Sequence, residues 1–134
     1  MTATTPCRLV IHGGAGVIDR RSLTPAREAE FRAALARIAT AAWALLVAGD
    51  TALDVVESAV RDLEDFPLFN AGRGAVLNAD GVVEMDASIM DGRTRRGGAV
   101  AAVRTAMHPV SLARAVMERA EHVLLVGEGA ERLA

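Results

Sequence analysis

The spacing of apolar residues changes period near residue 67, and that change restricts the chain to a fold that mixes helix with sheet. Phe31, Leu35, Ile38, Ala42 and Leu45 form one stripe at the helical repeat of about 3.6 residues. Thr24-Pro25 opens this helix, with threonine as N-cap and proline at the first helical position, and Gly49 closes it. Thr51-Ala-Leu-Asp54 is a capping box with Asp in place of Glu. The helix that follows carries Leu53, Val56, Val60 and Leu63 on one face and stops at Pro67. Beyond it the pattern alternates: Val83, Met85, Ala87 and Ile89 face one way, and Glu84, Asp86 and Ser88 the other. This strand, the turn at Asp91-Gly92 and a second strand at Gly98–Val103 predict a hairpin.

The remaining segments complete the order. Arg8–Ile11 reads as a buried strand ending in a glycine loop. Residues 67–81, with Asn70, Gly72, Gly74, Asn78 and Gly81, read as an ordered turn-rich loop. Pro109 leads a helix with Leu112, Ala113, Val116 and Met117 inward. His122–Val126 is a short strand, and Gly127 starts a last helix that runs to the C-terminus. The predicted order is β-α-α-β-β-α-β-α, an α+β class, in one domain of 134 residues.

Composition removes whole classes of function. All 15 basic residues are arginine, so lysine chemistry is excluded. They are outnumbered by 17 acidic residues, which leaves no basic excess for nucleic acid or an anionic membrane. Cys7 is the single cysteine, so neither an internal disulfide nor a cysteine zinc site forms within the chain. Met1 to Pro6 shows no secretory pattern, and apolar stretches such as Ala39–Ala48 are too short to span a bilayer. The expectation is a cytoplasmic protein that engages no membrane.

Three segments invite chemistry. His12-Gly13-Gly14-Ala15-Gly16 fails as a dinucleotide loop, because position 19 is Asp, and fails as a hydrolase oxyanion loop, because none of the four serines sits in a G-x-S-x-G elbow. A tight turn where only glycine fits is the plain alternative. Asn70-Ala71-Gly72-Arg73-Gly74 exposes backbone carbonyls that suit a hard cation, or it is a surface turn. Glu84, Asp86 and Asp91 form either an acid cluster or a solvated, hydrogen-bonded sheet edge, and the latter is favoured. His12, His108 and His122 lack the spacing of a histidine metal site.

Five blocks in register carry a resemblance: His12–Gly16, Gly49–Glu57, Leu63–Val76, Glu84–Gly92 and His122–Ala130. Together they closely resemble the plant-type L-asparaginases, also called isoaspartyl peptidases or beta-aspartyl-peptidases, which are N-terminal nucleophile hydrolases. The Phe-Asn-Ala-Gly-Arg-Gly block favours this group over glycosylasparaginases and threonine aspartases. The resemblance implies a four-layer αββα sandwich and a precursor that cuts itself into α and β subunits, assembled as (αβ)2. The new N-terminal threonine of β would be the nucleophile for L-asparagine and β-aspartyl dipeptides. It implies no organic cofactor.

By position, the resemblance makes Asn70 the residue beside the nucleophile. It makes His12, Gly13, Gly14 and Gly16 a glycine loop near the maturation site. It also makes the carbonyls of Leu63, Glu64, Phe66, Phe69, Ala71 and Arg73 the ligands of a structural sodium ion. No threonine of this chain follows a glycine, as the nucleophile of the family does, so residues 1–134 are expected to be an incomplete domain, most of an α subunit. His108 stands before Pro109 where the family often has Asn. An inactive truncated remnant or assembly module of the same family and an unrelated small α/β binding domain are the alternatives.

Overall fold

The computed structural model describes residues 7–14, 16, 21 and 23–133. Two helices come first, α1 over Pro25–Ala48 and α2 over Ala52–Asp65. A 3-10 turn at Gly72–Gly74 leads to β1 (Met85–Asp91), β2 (Arg96–Val103), α3 (Pro109–Arg119), β3 (Leu124–Val126) and the short α4 (Glu128–Glu131). The α+β class stands. The polar start at Met1 to Pro6, and Ala15 within the glycine loop, lie outside the described residues.

Both helix starts follow from their caps. Thr24 Oγ1 accepts from the Arg27 N–H at 3.2 Å with Pro25 at the first position, and Gly49 (φ 102°) ends α1 in the left-handed region. Thr51 Oγ1 accepts from the Asp54 N–H at 3.2 Å and donates to the Asp54 carboxylate at 2.6 Å. Thr51→Ala is therefore expected to cost about 1 kcal/mol. Urea unfolding is the check, and an unchanged midpoint would show that the cap contributes nothing.

α2 is covered on two sides rather than one. Val55, Ala59 and Leu63 face α1, where they join Ala34, Ile38 and Ala42 in one core cluster. Leu53 and Val60 turn the other way, toward a second cluster built from Ile89, Val100, Val103, Val110 and Val116. Val56, expected to lie inward, is 38% exposed. A helix clamped between two layers buries adjacent stripes, so a single-face pattern misplaces one position.

β1 and β2 pair antiparallel, with Asp91 opposite Arg96, and β3 adds parallel to β2, giving the sheet order β1-β2-β3. The hairpin turn is held by Asp91, which accepts from the Arg93 N–H (2.9 Å) and the Thr94 hydroxyl (2.8 Å). α3 lies on one face of the sheet, burying Leu112, Ala113, Val116 and Met117 as predicted.

Three expectations are corrected. Arg8–Ile11 lies in no strand. A strand needs a neighbour for its N–H and C=O groups, and among the described residues the sheet contains β1, β2 and β3 alone. Leu9 and Ile11 still pack on the α1–α2 cluster. The last helix stops at Glu131, with a turn after it. The apolar stretch ending at Ala48 belongs to a helix of 24 residues in which an 18-residue window has a mean hydropathy of 1.5, long and apolar enough to cross a bilayer by length and composition. Alanine and leucine between the charged Arg32 and Arg37 and the helix end raise that value. Its buried residues Ala34, Ile38 and Ala42 pack on α2, and 17% of that window is buried in all.

Candidate functional site

The C-terminal end of α2 begins the site. The last carbonyls of a helix have no partners inside it and carry its partial negative charge. Here they run into a succession of tight turns. Leu63 O accepts from Phe66 N (3.2 Å), Phe66 O from Phe69 N (3.2 Å), Phe69 O from Ala71 N (2.8 Å) and Ala71 O from Gly74 N (3.0 Å). Phe69 is the apolar anchor of these turns. It is 4% exposed and rests edge-on against Phe31 and tilted against Phe66, with centroids 5.8 Å apart in both pairs.

Two glycines let the backbone fold back on itself. A Cβ on Gly72 (φ 51°) would overlap the Glu64 carbonyl oxygen, and one on Gly74 would overlap that of Phe69 and come within 2.7 Å of that of Pro67. Carbonyls of the expected sodium loop thus crowd onto the places where a side chain would sit. Each carbonyl that accepts one N–H keeps a second lone pair. A set of neutral backbone oxygens fits a hard monovalent cation better than a soft or transition metal.

Asn70 sits between that anchor and those glycines. Its Oδ1 accepts from the Val76 N–H at 3.0 Å, which fixes the oxygen toward the protein and leaves the NH2 to donate. Two clefts meet at Asn70. One, of about 270 Å³, is shared with Glu64, Gly72, Glu84 and Asp86. The other, of about 410 Å³, is shared with His12, Gly13, Gly14, Gly16 and Phe69. The two segments singled out from the sequence, 58 residues apart from His12 to Asn70, therefore wall one cleft.

Glu84, Asp86 and Asp91 are each hydrogen-bonded, as favoured. Glu84 accepts from Arg104 Nε (3.1 Å) and Asn78 Nδ2 (2.8 Å), and these bonds hold its carboxyl below the usual carboxylate range. Asp86 Oδ1 accepts from the Ala102 N–H (2.9 Å), at a bulge where Ala102 takes φ 52°. Among the described residues no group of three or more His, Cys, Asp or Glu could hold a metal ion. His122 is exposed two residues before β3, which starts at Leu124 rather than at His122 as expected.

Glu64 has a side-chain role that the sequence reading missed. It is 3% exposed, and its Oε1 accepts from the Val110 N–H at 3.0 Å, capping α3. His108 Nδ1 lies 3.3 Å from Glu64 Oε2, off hydrogen-bond geometry. Burial pushes the Glu64 carboxyl up, against the lowering pull of Val110 and His108. One turn away, Arg114 ties α3 to α2 through Asp54 and Glu57, both at 2.6 Å. The signal for Glu64 was its place four residues after Val60, on a buried face.

Residues 5–134 match the family described as asparaginase. The chain belongs to the asparaginase family. Over 126 residues, 94% of the chain, it is 54% identical to the isoaspartyl peptidase of Salmonella typhimurium, covering 40% of that protein. It is 49% identical, over the same share of its length, to the isoaspartyl peptidase of Escherichia coli (39% of that protein) and to the plant-type L-asparaginase of Pyrococcus abyssi (40%). The chain thus spans about 40% of the length of the curated relatives it matches. The asparaginase-family match takes in the glycine loop, the carbonyl loop and Asn70.

Proposed function

We propose that this chain supplies the α portion of a threonine-nucleophile amidohydrolase. It would hydrolyse L-asparagine to L-aspartate and ammonia and cleave β-aspartyl dipeptides. The observation that carries this reading is the common cleft of Asn70 and the glycine loop, in a chain of this family. The nucleophile would come from a β portion of the same precursor, freed at its N-terminus by self-cleavage. There its α-amine, less basic than a lysine, would take the proton of its own hydroxyl. Asn70, with its oxygen held by Val76, would donate through its NH2 and aim the nucleophile.

The same reading places a sodium ion on the carbonyls of Leu63, Glu64, Phe66, Phe69, Ala71 and Arg73. A cation there would stiffen the turns that carry Asn70. The four-layer αββα sandwich is supported by the open face of the sheet, where Met90, Leu124 and Val126 are 62%, 52% and 55% exposed, and the (αβ)2 assembly belongs to the same family reading. A second sheet laid on that face would cover them. A cytoplasmic location accords with the single cysteine.

Asn70→Ala is the test, made in this chain joined to the C-terminal portion of an isoaspartyl peptidase. A positioning hydrogen bond of about 1.4 kcal/mol or more corresponds to a tenfold or greater loss of turnover. A variant as active as its parent would remove Asn70 from the site. Replacing sodium by choline at constant ionic strength is expected to lower the melting temperature of the parent, because an ion bound only to the native state stabilises it. Identical melting in both salts would remove the sodium assignment.

A further inference from the structure

We propose that His12 is a positioning residue for the Asn70 cleft, acting through its ring nitrogen Nδ1. The inference rests on the amidohydrolase reading above and adds a residue to it. The Gly14 N–H donates to His12 Nδ1 at 3.0 Å. A ring nitrogen that accepts carries no proton, so the neutral imidazole bears its proton on Nε2. The side chain thereby ties down the backbone two residues ahead of it.

The turn needs such a tie. Residues 7–14 belong to no helix or strand, so no ladder of backbone hydrogen bonds holds them. Gly14 has φ 104°, a conformation that side-chain-bearing residues rarely adopt. Gly13 is wedged between two apolar side chains. A Cβ there would lie 3.0 Å from Phe69 Cε1 and 3.2 Å from Leu35 Cδ2. Phe69 immediately precedes Asn70, so a displaced turn presses on the residue that sets the Asn70 backbone. The His12 bond therefore holds one wall of the cleft and, through Gly13 and Phe69, the other. His12 is exposed, and its replacement does not open the core.

The test compares three variants of this chain completed with the C-terminal portion of a relative. Asparagine places its Oδ1 where Nδ1 sits and accepts an N–H two residues on, whereas glutamine places its polar group where Nε2 sits. His12→Ala and His12→Gln are expected to lower kcat for a β-aspartyl dipeptide about tenfold with KM little changed. His12→Asn is expected to recover most of that loss, and all three should melt with the parent. A His12→Ala variant at the parent rate overturns the proposal. So does glutamine rescuing as well as asparagine, and so does failure of asparagine to rescue at all. If the parent itself turns nothing over, the amidohydrolase reading fails, and the bond is decided by nitrogen NMR of labelled histidine at neutral pH. An unprotonated Nδ1 coupled to the Gly14 amide supports the positioning bond, and a protonated Nδ1 overturns it.

Discussion

L-Asparagine incubated with these 134 residues alone is expected to release no ammonia above buffer. The same chain joined to the C-terminal portion of an isoaspartyl peptidase is expected to release it. Loss of a nucleophile typically removes several orders of magnitude in rate, with some residual catalysis from binding and oxyanion contacts. Four of the described hydroxyls already have other work. Thr24 and Thr51 cap helices, and Thr94 donates to Asp91 in the hairpin turn. Ser111 donates to Glu57 at 2.6 Å, but Ser111 and Arg114 hold that carboxyl below its usual range despite its burial, so it is a poor base for activating the hydroxyl. Clear turnover by the chain alone, surviving contaminant controls, would place a nucleophile within it and overturn the proposed division of labour. Silence of the completed protein as well would overturn the proposed activity.

Gly98→Ala is expected to destabilise the fold by about 3 kcal/mol, the upper part of the usual range for forcing extra volume into a packed interior. A Cβ at this point of β2 would overlap the Ala113 carbonyl oxygen and lie 2.5 Å from Met117 N and 2.7 Å from Met117 Cβ. The first two are backbone atoms of α3, which cannot rotate aside as a side chain does. The helix would have to lift from the sheet and loosen Val110, Ala113 and Val116, each buried to within 1%. Gly97 next to it is the internal control. A Cβ there meets nothing nearer than Ile89 O at 3.5 Å, so Gly97→Ala is expected to stay within about 1 kcal/mol of the parent. Thermal melting of both variants is the measurement. At a few degrees per kcal/mol, the Gly98 variant should melt roughly 10 °C lower. Equal melting of the two variants would show that α3 does not bear on Gly98 as described.

Helix ends were legible because their physics is local. Thr24-Pro25, Thr51 with Asp54, and Gly49 each satisfy or terminate backbone groups within a few residues of themselves. The hairpin was legible for the same reason, since Asp91 holds its turn through residues two and three positions on. The strand expected at Arg8–Ile11 was not decidable in this way. Its burial alternates, with Leu9 and Ile11 inward and Val10 91% exposed, but strandhood depends on a partner that a local apolar run cannot reveal.

The sequence by itself determined α1 and α2 with their caps, the β1–β2 hairpin and α3 as a helix, because each rests on interactions or periodicity between near neighbours in the chain. It also determined the family, since five short blocks stand in register. Tertiary structure alone decided that α2 is covered on two faces and that Glu64 caps α3 across 46 residues of chain. It alone decided that Gly98 must lack a side chain, and that His12–Gly14 and Asn70 wall one cleft. Those outcomes depend on which surfaces meet, and the approach of α3 to β2, or of the N-terminal segment to the end of α2, is set by the packing of whole cores rather than by any local pattern.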